Sequence, residues 1–278
     1  MAPLVSGPAD RGGVRRYYDA NTWTYLLTGS HRALHRELWG PGVADRREAL
    51  HHAHALVLDE LGQDDQRVLD LGCGVGTAAL HLARKRPVDV VGVSISPEQI
   101  RLAKRFADRG GPLRGNARFE VGDFTGLPEH VTGFDLAFAI ESFVHADPAP
   151  AFFREVAGAL HPDGTLVVID DFLTGGRDDG RLDAFRSGWH APSLVTVPEA
   201  AALAADANLD LAASRDLSPL QRLGRPRDGF VHAAQPLLRR LQGRSLWAQS
   251  MVGGDALQAC HRAGLLEYRL LRFVRRPG

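Results

Sequence analysis

The sequence predicts an α/β protein in which a mainly parallel sheet is covered by helices on both faces. Short apolar runs alternate with helical patterns from residue 66 to residue 173. A glycine-rich turn joins the first apolar run to the helix that follows it. The chain has 278 residues, of which 44% are hydrophobic and 24% charged, so it can bury a large core without disulfides. This alternation indicates a parallel sheet, because parallel strands are joined through crossover helices.

The individual strands and helices are predicted from apolar periodicity and from the turns between them. The turn His-Pro-Asp-Gly at residues 161–164, for example, has residues that favour a chain reversal. Strands are expected at residues 68–71, 88–93, 119–121, 134–140, 165–172 and 268–274. Helices are expected at residues 44–61, 77–85, 97–109, 149–160 and 255–263.

The chain divides into four regions according to where the alternation of strands and helices begins and ends. Residues 1–62 start polar and glycine-rich, then become helical, and are interpreted as an N-terminal helical lid. Residues 63–173 carry the strand–helix core. Residues 174–235 lose the rhythm, contain several Gly and Pro residues, and are interpreted as a cap. Residues 236–278 are expected to complete the core sheet with a helix and a strand.

Charge and cysteine content exclude several classes of protein. The formal net charge is +0, so no overall field favours nucleic acid or an anionic membrane. Cys73 and Cys260 lie far apart without metal-ligand spacing, and no metal site is predicted. The chain start lacks the apolar segment of a signal peptide, and no run of about 18 apolar residues is present to span a membrane. We therefore expect a cytoplasmic protein with a small-molecule partner, and a homodimer is compatible with the sequence.

The sharpest motif is the turn Asp70-Leu71-Gly72-Cys73-Gly74-Val75-Gly76, which closes a strand and opens a helix. Glycine permits positive φ and lets a ligand approach the main chain closely. The spacing G-x-G-x-G differs from the dinucleotide fingerprint G-x-G-x-x-G. Asp70 stands directly before the loop, where a carboxylate would oppose a pyrophosphate but attract a cation. The motif therefore favours a positively charged cofactor over NAD.

This turn resembles motif I of the class I S-adenosylmethionine-dependent methyltransferases, and the resemblance covers about residues 65–175. It implies a Rossmann-like seven-stranded sheet whose last strands are antiparallel, with S-adenosyl-L-methionine as the cofactor. In that family the loop wraps the methionine part of the cofactor. Carried over, Asp70 lies near the amino group, and Gly72, Gly74 and Gly76 form the loop around it.

The ends of the second and third strands resemble the rest of that cofactor site. Many family members have an acid where Ser94 stands. Ser94 with Gln99 instead resembles the sterol, tocopherol and natural-product subgroup, in which these two residues share the ribose. The alternative for Gln99 is a capping box with Ser96 at a helix start. Asp123 and Phe124 resemble the residues that hold and cover the adenine, and the alternative is an ordinary Asp turn with a core Phe.

The fourth strand ends where the family places the transferred methyl group, because ligands bind at the carboxyl ends of parallel strands. Ile140 is expected to contact the cofactor. A carbon acceptor would form a carbocation that Glu141 could stabilise and deprotonate, and this route is slightly preferred. An oxygen acceptor needs a base, which His145 could provide together with Asp171. A structural role for Glu141 and His145 is the remaining alternative.

Aromatic residues near the N-terminus resemble the helical lid of the same subgroup. A Tyr of that lid reaches over the cofactor, and Tyr17 or Tyr18 would take this role. With Trp39, Trp189 and Trp247 these aromatics could line an apolar pocket, whereas a place in the core is the simpler alternative.

The leading interpretation is methylation of a small apolar natural product, terpenoid or lipid-like molecule. One rival is a family member that keeps the cofactor but catalyses a cyclisation without methyl transfer. Others are a cofactor-binding protein without turnover and an NAD-dependent oxidoreductase. Arginine clusters at residues 222–227 and 239–244 would suit a diphosphate, although a solvated surface is the simpler interpretation in an arginine-rich chain.

Overall fold

A seven-stranded mixed sheet forms the centre of the protein. The computed structural model describes residues 35–178, 180–224, 226–241 and 245–277, together with Arg15, Arg16, Asp19 and Thr22. The strands are β1 (Arg67–Leu71), β2 (Asp89–Ser94), β3 (Asn116–Val121), β4 (Phe134–Ile140), β5 (Leu160–Leu173), β6 (Leu209–Asp216) and β7 (Leu266–Arg275). Their order is β3-β2-β1-β4-β5-β7-β6. The predicted Rossmann-like fold is confirmed.

Nine α-helices lie within the described residues. They are α1 (Arg46–Asp59), α2 (Thr77–Lys85), α3 (Pro97–Arg109), α4 (Ala149–Ala159), α5 (Arg181–Trp189), α6 (Val197–Asp206), α7 (Pro226–Ala233), α8 (Gln235–Leu241) and α9 (Leu246–Arg262). The predictions for α2 and α3 match the structure residue for residue. At α3 the local signals are strong, because the Ser96 side chain accepts from the backbone N–H of Gln99 and Pro97 occupies the first turn. None of the helices in this part of the chain is long and apolar enough to cross a membrane.

The parallel half of the sheet creates the crevice in which a ligand can bind. Strands β1, β2, β3, β4 and β5 are parallel neighbours. The chain runs outward from β1 to β3, then returns to place β4 on the other side of β1. Connections leave β1 and β4 in opposite directions, so a crevice opens beyond their carboxyl ends. Asp70 lies on β1 in register with Phe138 of β4.

The antiparallel half differs from the sequence-based expectation in two places. Strand β7 pairs antiparallel with both β5 and β6, as predicted for the last strands. Strand β6 lies inside residues 174–235, so the region interpreted as a cap also supplies an edge of the core sheet. Residues 161–164 do not separate α4 from the strand. They instead loop out of β5, whose pairing with β4 shifts between Phe134 and Leu136, and Asp163 has a φ of 63°.

Two apolar layers explain why helices cover both faces of the sheet. One layer is rich in phenylalanine, and its buried members include Phe134, Phe143, Phe152, Phe153, Phe172 and Phe273. The other consists mainly of Leu, Val and Ala side chains and lies under α1, α2 and α3. Full burial of one such Phe contributes about 1.5–3 kcal/mol, so these layers are the main source of stability.

Helix α5, in the region interpreted as a cap, meets α9 through a contact between the two backbones. Helix α9 begins at Leu246, nine residues before the helix predicted at residue 255, and packs along α5. A Cβ atom added to Gly188 of α5 would lie 2.5 Å from the Cα atom of Gly253 of α9. The Trp189 indole N–H donates to the carbonyl of Ser250 at 3.1 Å. This contact fixes α5 over the crevice.

Candidate active site

The glycine-rich turn between β1 and α2 forms a bare backbone cradle. Gly72, Gly74 and Gly76 have φ values of 85°, 53° and 81°, a region that side chains disfavour. A Cβ atom on Gly72 would lie 2.5 Å from the Cβ atom of Ser142. Ser142 itself donates to the carbonyl of Leu71 at 2.6 Å, so it cannot move away freely. The turn is therefore shaped so that a ligand can reach the main chain.

Asp70 places an uncompensated carboxylate at the base of this cradle. The residue is 3% exposed, and its Oδ2 atom has no hydrogen-bond partner among the described residues. Burial raises the pKa of Asp70 to about 8. A buried polar atom without a partner is costly. A ligand with an ammonium group would remove that cost and ionise the carboxyl group, so Asp70 fits the role predicted for it.

Ser94 and Gln99 join at the end of β2. The Ser94 hydroxyl donates to Gln99 Oε1 at 2.8 Å, and both residues are buried. Among the described contacts, only the Ser96 side chain caps α3, by accepting from the backbone N–H of Gln99. The Gln99 amide nitrogen lies 3.4 Å from Thr22 Oγ1 and does not complete a capping box with Ser96. The Ser96 hydroxyl also contacts the carboxylate of Asp19. The pair is thus positioned beside the crevice, where it could hold hydroxyl groups of a ligand.

Asp123 and Phe124 follow β3 at the same edge of the sheet. Asp123 Oδ1 accepts from the backbone N–H of Thr125 at 2.8 Å and from its hydroxyl at 2.6 Å, so an Asp turn is present. Phe124 packs edge-to-face on Phe152 with the ring centroids 5.6 Å apart. Both residues also border the crevice. The Asp turn and the predicted adenine-binding role are therefore compatible, because the residues of the turn also border the crevice.

The crevice encloses a cavity of about 590 Å³, which is large enough for a cofactor and part of an acceptor. One side is formed by the residues described above and by Ile140 at the end of β4. The other side comes from the cap. Its lining residues there include Asp183, Arg186, Ser187, Trp189, His190 and Pro192.

Arg36 organises the part of the cavity that contains the predicted catalytic residues, and no motif in the sequence indicates this role. Its two terminal nitrogens donate to the carboxylate oxygens of Asp171 at 3.0 and 2.7 Å. Its Nε atom and its backbone N–H donate to Glu141 Oε1 at 3.0 and 2.9 Å. The guanidinium group also lies 4.0 Å from the ring centroid of Tyr268, whose hydroxyl donates to the same Glu141 oxygen at 2.9 Å. One cation therefore holds both predicted catalytic carboxylates.

Pairing between opposite charges shifts the pKa values of the groups in this cluster. Burial alone would lower the pKa of Arg36, but the combined attraction of Asp171 and Glu141 raises it well above its usual value. Burial alone would raise the pKa of Asp171, but Arg36 and a hydrogen bond from His261 at 2.7 Å lower it. Neighbouring Asp170 has a pKa raised well above normal by burial and by repulsion from Asp171. The pKa values of the two neighbouring carboxyl groups are therefore shifted in opposite directions, and Asp171 is ionised beside Arg36.

Glu141 differs from the expectation of a carboxylate directed at a carbocation. It has a φ of 51°, and its backbone N–H donates to the carbonyl of Ile169 at 2.8 Å. Within the described residues its three side-chain hydrogen bonds all fall on Oε1. The residue does border the cavity, but with Arg36 beside it.

His145 lies on a 3-10 turn, Phe143–His145, directly after β4. Its Nδ1 atom is 2.9 Å from the carbonyl oxygen of His190, so Nδ1 carries the proton and Nε2 is the basic nitrogen of the neutral ring. Burial lowers the pKa of His145 below its usual value. A neutral imidazole that borders the cavity meets the requirements for a general base.

The remaining predicted residues divide between the pocket, the surface and the part of the chain outside the described residues. Tyr17, Tyr18, Trp23, Tyr25, Arg225 and Arg244 lie outside it. Trp189 borders the cavity, whereas Trp247 is 47% exposed. The Trp39 ring lies under the guanidinium of Arg222 at 3.5 Å, so that arginine is engaged by an aromatic ring.

Comparison with known proteins identifies relatives of this architecture. Residues 68–164 match the family described as "Methyltransferase domain". The chain is 29% identical over 210 residues to sterol 24-C-methyltransferase erg-4 of Neurospora crassa, an alignment that covers 73% of this chain and 55% of that protein. It is 35% identical over 159 residues to methyltransferase GfsG of Streptomyces halstedii, covering 56% of this chain and 57% of that protein.

A solved structure extends the likeness to the whole fold. The cyclase SpnF superposes with a TM-score of 0.76 over all of both chains, at 22% sequence identity. At this level of identity the likeness concerns the fold alone. The chain spans about half the length of the curated relatives that it matches.

Proposed function

We propose, from the premise that the chain carries a class I S-adenosylmethionine-dependent methyltransferase domain, that it methylates a hydroxyl group of a small, largely apolar molecule. The observation that carries the cofactor assignment is Asp70 Oδ2, a buried carboxylate oxygen beside three left-handed glycines and without a partner among the described residues. A cation that approaches the bare backbone fits this position because it would stabilise the ionised form of Asp70, whereas a pyrophosphate would oppose that ionisation.

The residues that would hold S-adenosylmethionine follow the carboxyl edge of the sheet. Asp70 would accept from its ammonium group, and Gly72, Gly74 and Gly76 would contact the methionine part. Ser94 and Gln99 would hold the ribose. The adenine would lie beside Asp123, Phe124 and Ile140, and Tyr18 remains part of this proposal as a lid residue. When bound, this cofactor supplies an electrophilic methyl group, with the leaving electron pair returning to its sulfur.

His145 would act as the general base. Its neutral ring has the proton on Nδ1, where the carbonyl of His190 accepts it. The basic Nε2 can take the hydroxyl proton as the oxygen attacks the methyl carbon, so the new C–O bond forms without a free alkoxide. A positioned base of this kind contributes typically 10²–10⁴-fold to the rate. Asp171 would act indirectly, by fixing Arg36 and His261.

A carbon acceptor is the second candidate. We place it after oxygen because of the charges of Arg36, Glu141 and Asp171. Glu141 and Asp171 together carry two negative charges against the single charge of Arg36, which favours a nearby carbocation. However, the guanidinium lies 3.0 Å from Glu141 Oε1, an oxygen of the carboxylate that would have to stabilise such a cation. A second positive charge at that position is opposed by Arg36, so we rank oxygen before carbon.

The substrate class is inferred from the cavity wall. Val75, Ile95, Val144, Trp189 and Ala191 contribute apolar surface to it. Such a wall favours a terpenoid, polyketide or lipid-like acceptor with few polar groups. Of the relatives reported above, the sterol methyltransferase has a name that states an acceptor, and that acceptor is not carried over to this chain.

Two measurements test the proposal. Calorimetric titration with S-adenosylhomocysteine and with NAD⁺ should give binding of the first only. Incubation with S-adenosylmethionine and a panel of hydroxylated apolar compounds should give a product heavier by one methyl group. Binding of NAD⁺ alone would contradict the cofactor, and conversion without a mass gain would support a cyclase.

Variants then separate oxygen from carbon acceptors. His145→Ala should lower turnover by about 10²–10⁴-fold while S-adenosylhomocysteine affinity stays unchanged. His130→Ala is the matched control because its side chain is 70% exposed. Full turnover in His145→Ala together with lost turnover in Glu141→Gln would refute the oxygen route and favour carbon.

A further inference from the structure

Three histidines from two helices meet beside the active-site cavity, in a cluster that methyl transfer does not use. His51 and His54 lie three residues apart on α1, so they share one side of that helix. His81 approaches them from α2. One ring nitrogen from each of the three lies within 4.8 Å of the other two.

The rings are in direct contact with one another. His51 Nδ1 and His54 Nδ1 are 3.1 Å apart. The rings of His51 and His81 are stacked with centroids 4.8 Å apart, and those of His54 and His81 are 5.3 Å apart. Imidazole nitrogens that converge in this way are the commonest ligand set for borderline metal ions.

His35 fixes the proton of the buried member of the cluster. Its Nδ1 atom is 3.1 Å from the carbonyl oxygen of Arg36, so that nitrogen is the donor and Nε2 is the acceptor. His35 Nε2 lies 2.7 Å from His54 Nε2, which must therefore carry the proton of the His54 ring. The lone pair of His54 is then on Nδ1, the nitrogen nearest His51. An outer hydrogen bond that sets the tautomer is typical of metal-binding histidines.

Two of the three histidines also favour the neutral form. Burial, followed by repulsion from the other histidines, lowers the pKa of His54 well below its usual value. Burial and the same repulsion lower the pKa of His81 to about 4. Neutral imidazole is the form that coordinates metal. Positive charge from Arg47, Arg84 and Lys85 acts on the same ring and would weaken the affinity for a cation.

We propose that His51, His54 and His81 form a binding site for a divalent transition-metal ion, with Zn²⁺ or Co²⁺ as the fitting class. Ligand nitrogens about 2.0–2.1 Å from such an ion lie roughly 3.3 Å apart in a tetrahedron. The contact between His51 and His54 already has this spacing. The widest separation must close by roughly 1.5 Å, which the half-buried His81 side chain can achieve by rotation.

The site links metal binding to the geometry of the catalytic cluster. An ion held there joins α1 to α2, the helix that begins at the glycine-rich turn. It also fixes His54, which reaches Arg36 through His35. Arg36 in turn holds Glu141 and Asp171. The ion would therefore be a structural clip behind the active site, with no contact to the transferred methyl group.

The test is direct metal titration of the full chain prepared without a polyhistidine tag. After chelator treatment, Co²⁺ should bind once per chain with visible absorption bands of a tetrahedral ion, and Zn²⁺ should displace it. Zn²⁺ should also raise the melting temperature, because an ion that binds only the folded chain stabilises it.

Variants connect that binding to the proposed ligands. His51→Ala and His81→Gln should each weaken Zn²⁺ binding at least tenfold, whereas His130→Ala should leave it unchanged. Circular dichroism of the metal-free variants checks that they fold, and His81→Gln retains the approximate size of the side chain. Absence of stoichiometric binding, or affinity unchanged in both ligand variants, would overturn the proposal.

Discussion

Arg36 and Asp171, which are 135 positions apart in the chain, form a bidentate pair with nitrogen–oxygen distances of 3.0 and 2.7 Å. The Arg36 side chain is 17% exposed and that of Asp171 is 2% exposed. Planar pairing of this kind is specific to arginine. The segment before α1 is thereby anchored to the end of β5, and the floor of the active site depends on this anchor.

Removal of Arg36 should destabilise the whole fold. Arg36→Ala leaves Asp171 and Glu141 buried without their cation, and breaking a buried pair costs about 3–5 kcal/mol. Arg36→Lys should restore little, because an ammonium cannot reproduce the two parallel hydrogen bonds. Urea denaturation measures the free energy of unfolding. Arg276→Ala, which removes a surface pair with Asp210, is the control and should change stability far less. Equal effects of the two alanine variants would contradict the anchor.

Cofactor binding should release a proton from Asp70. The pKa of this group is raised to about 8 by burial, so the carboxyl is mainly protonated at pH 7 in the free protein. An ammonium ligand requires the ionised form. Titration with S-adenosylhomocysteine in buffers of different ionisation enthalpy should show nearly one proton released at pH 7. The release should fall towards zero above pH 9 and be absent in Asp70→Asn, and a pH-independent release would contradict this.

The raised pKa of Asp70 also determines how the stability of the ligand-free protein changes with pH. A raised pKa in the folded state means that the folded chain binds the proton more tightly than the unfolded chain. This stabilisation is complete below pH 4 and is lost as the pH rises through about 8. The ligand-free Asp70→Asn protein, which cannot ionise there, should therefore gain stability relative to the wild type between pH 4 and pH 8. Thermal melts across that range provide the measurement, and a constant difference would argue against a buried, strained carboxyl.

The turnover rate should stay constant from neutral to mildly acidic pH. Burial lowers the pKa of His145 below 6.5, so its ring stays neutral and able to accept a proton throughout the neutral range. The acidic limb of the kcat profile should therefore fall below pH 6.5. The residual rate of His145→Ala should lack this limb, whereas that of His130→Ala should retain it. A limb that persists without His145 would assign the base to another group.

Gly72 should tolerate no side chain. Its φ of 85° costs an L-residue about 1–2 kcal/mol, and an added methyl group would meet Ser142 at 2.5 Å. Gly72→Ala should lose stability and cofactor affinity together. Ser142→Gly in the same chain should recover the part caused by the clash, and a double-mutant cycle measures it. Gly111→Ala is the control, since nothing lies within 4 Å of its added Cβ atom. Additive effects of the two site mutations would show that the clash is absent.

Local signals account for what the sequence predicts well. The glycine-rich turn, the Ser96 cap and the apolar spacing of α3 act over a few residues, so their structure can be predicted from the sequence. The antiparallel end and the number of strands came from the resemblance to a family. Strand β6 is not predicted from the sequence. Only Leu209 among its residues is fully buried, so the alternation of buried and exposed residues that marks a strand is absent.

The cluster around Arg36 shows what such signals cannot provide. Asp171 and Glu141 were identified from strand ends, but their partner Arg36 lies in a segment with no regular pattern. His261 lies near the end of α9 and meets Asp171 only after the sheet has formed. His51 and His54 are visible as a pair on one helix, yet His81 joins them only through the packing of α1 on α2. Each of these contacts depends on long-range geometry.

Contact between Gly188 and Gly253 has an evolutionary consequence. The two helices touch main chain to main chain, and α5 supplies several residues of the cavity wall. Any larger residue at either glycine would wedge the helices apart and move that wall as a unit. If the chain has the activity proposed above, its descendants could therefore come to accept bulkier substrates by mutation at a remote site, while the proposed catalytic residues stay in place.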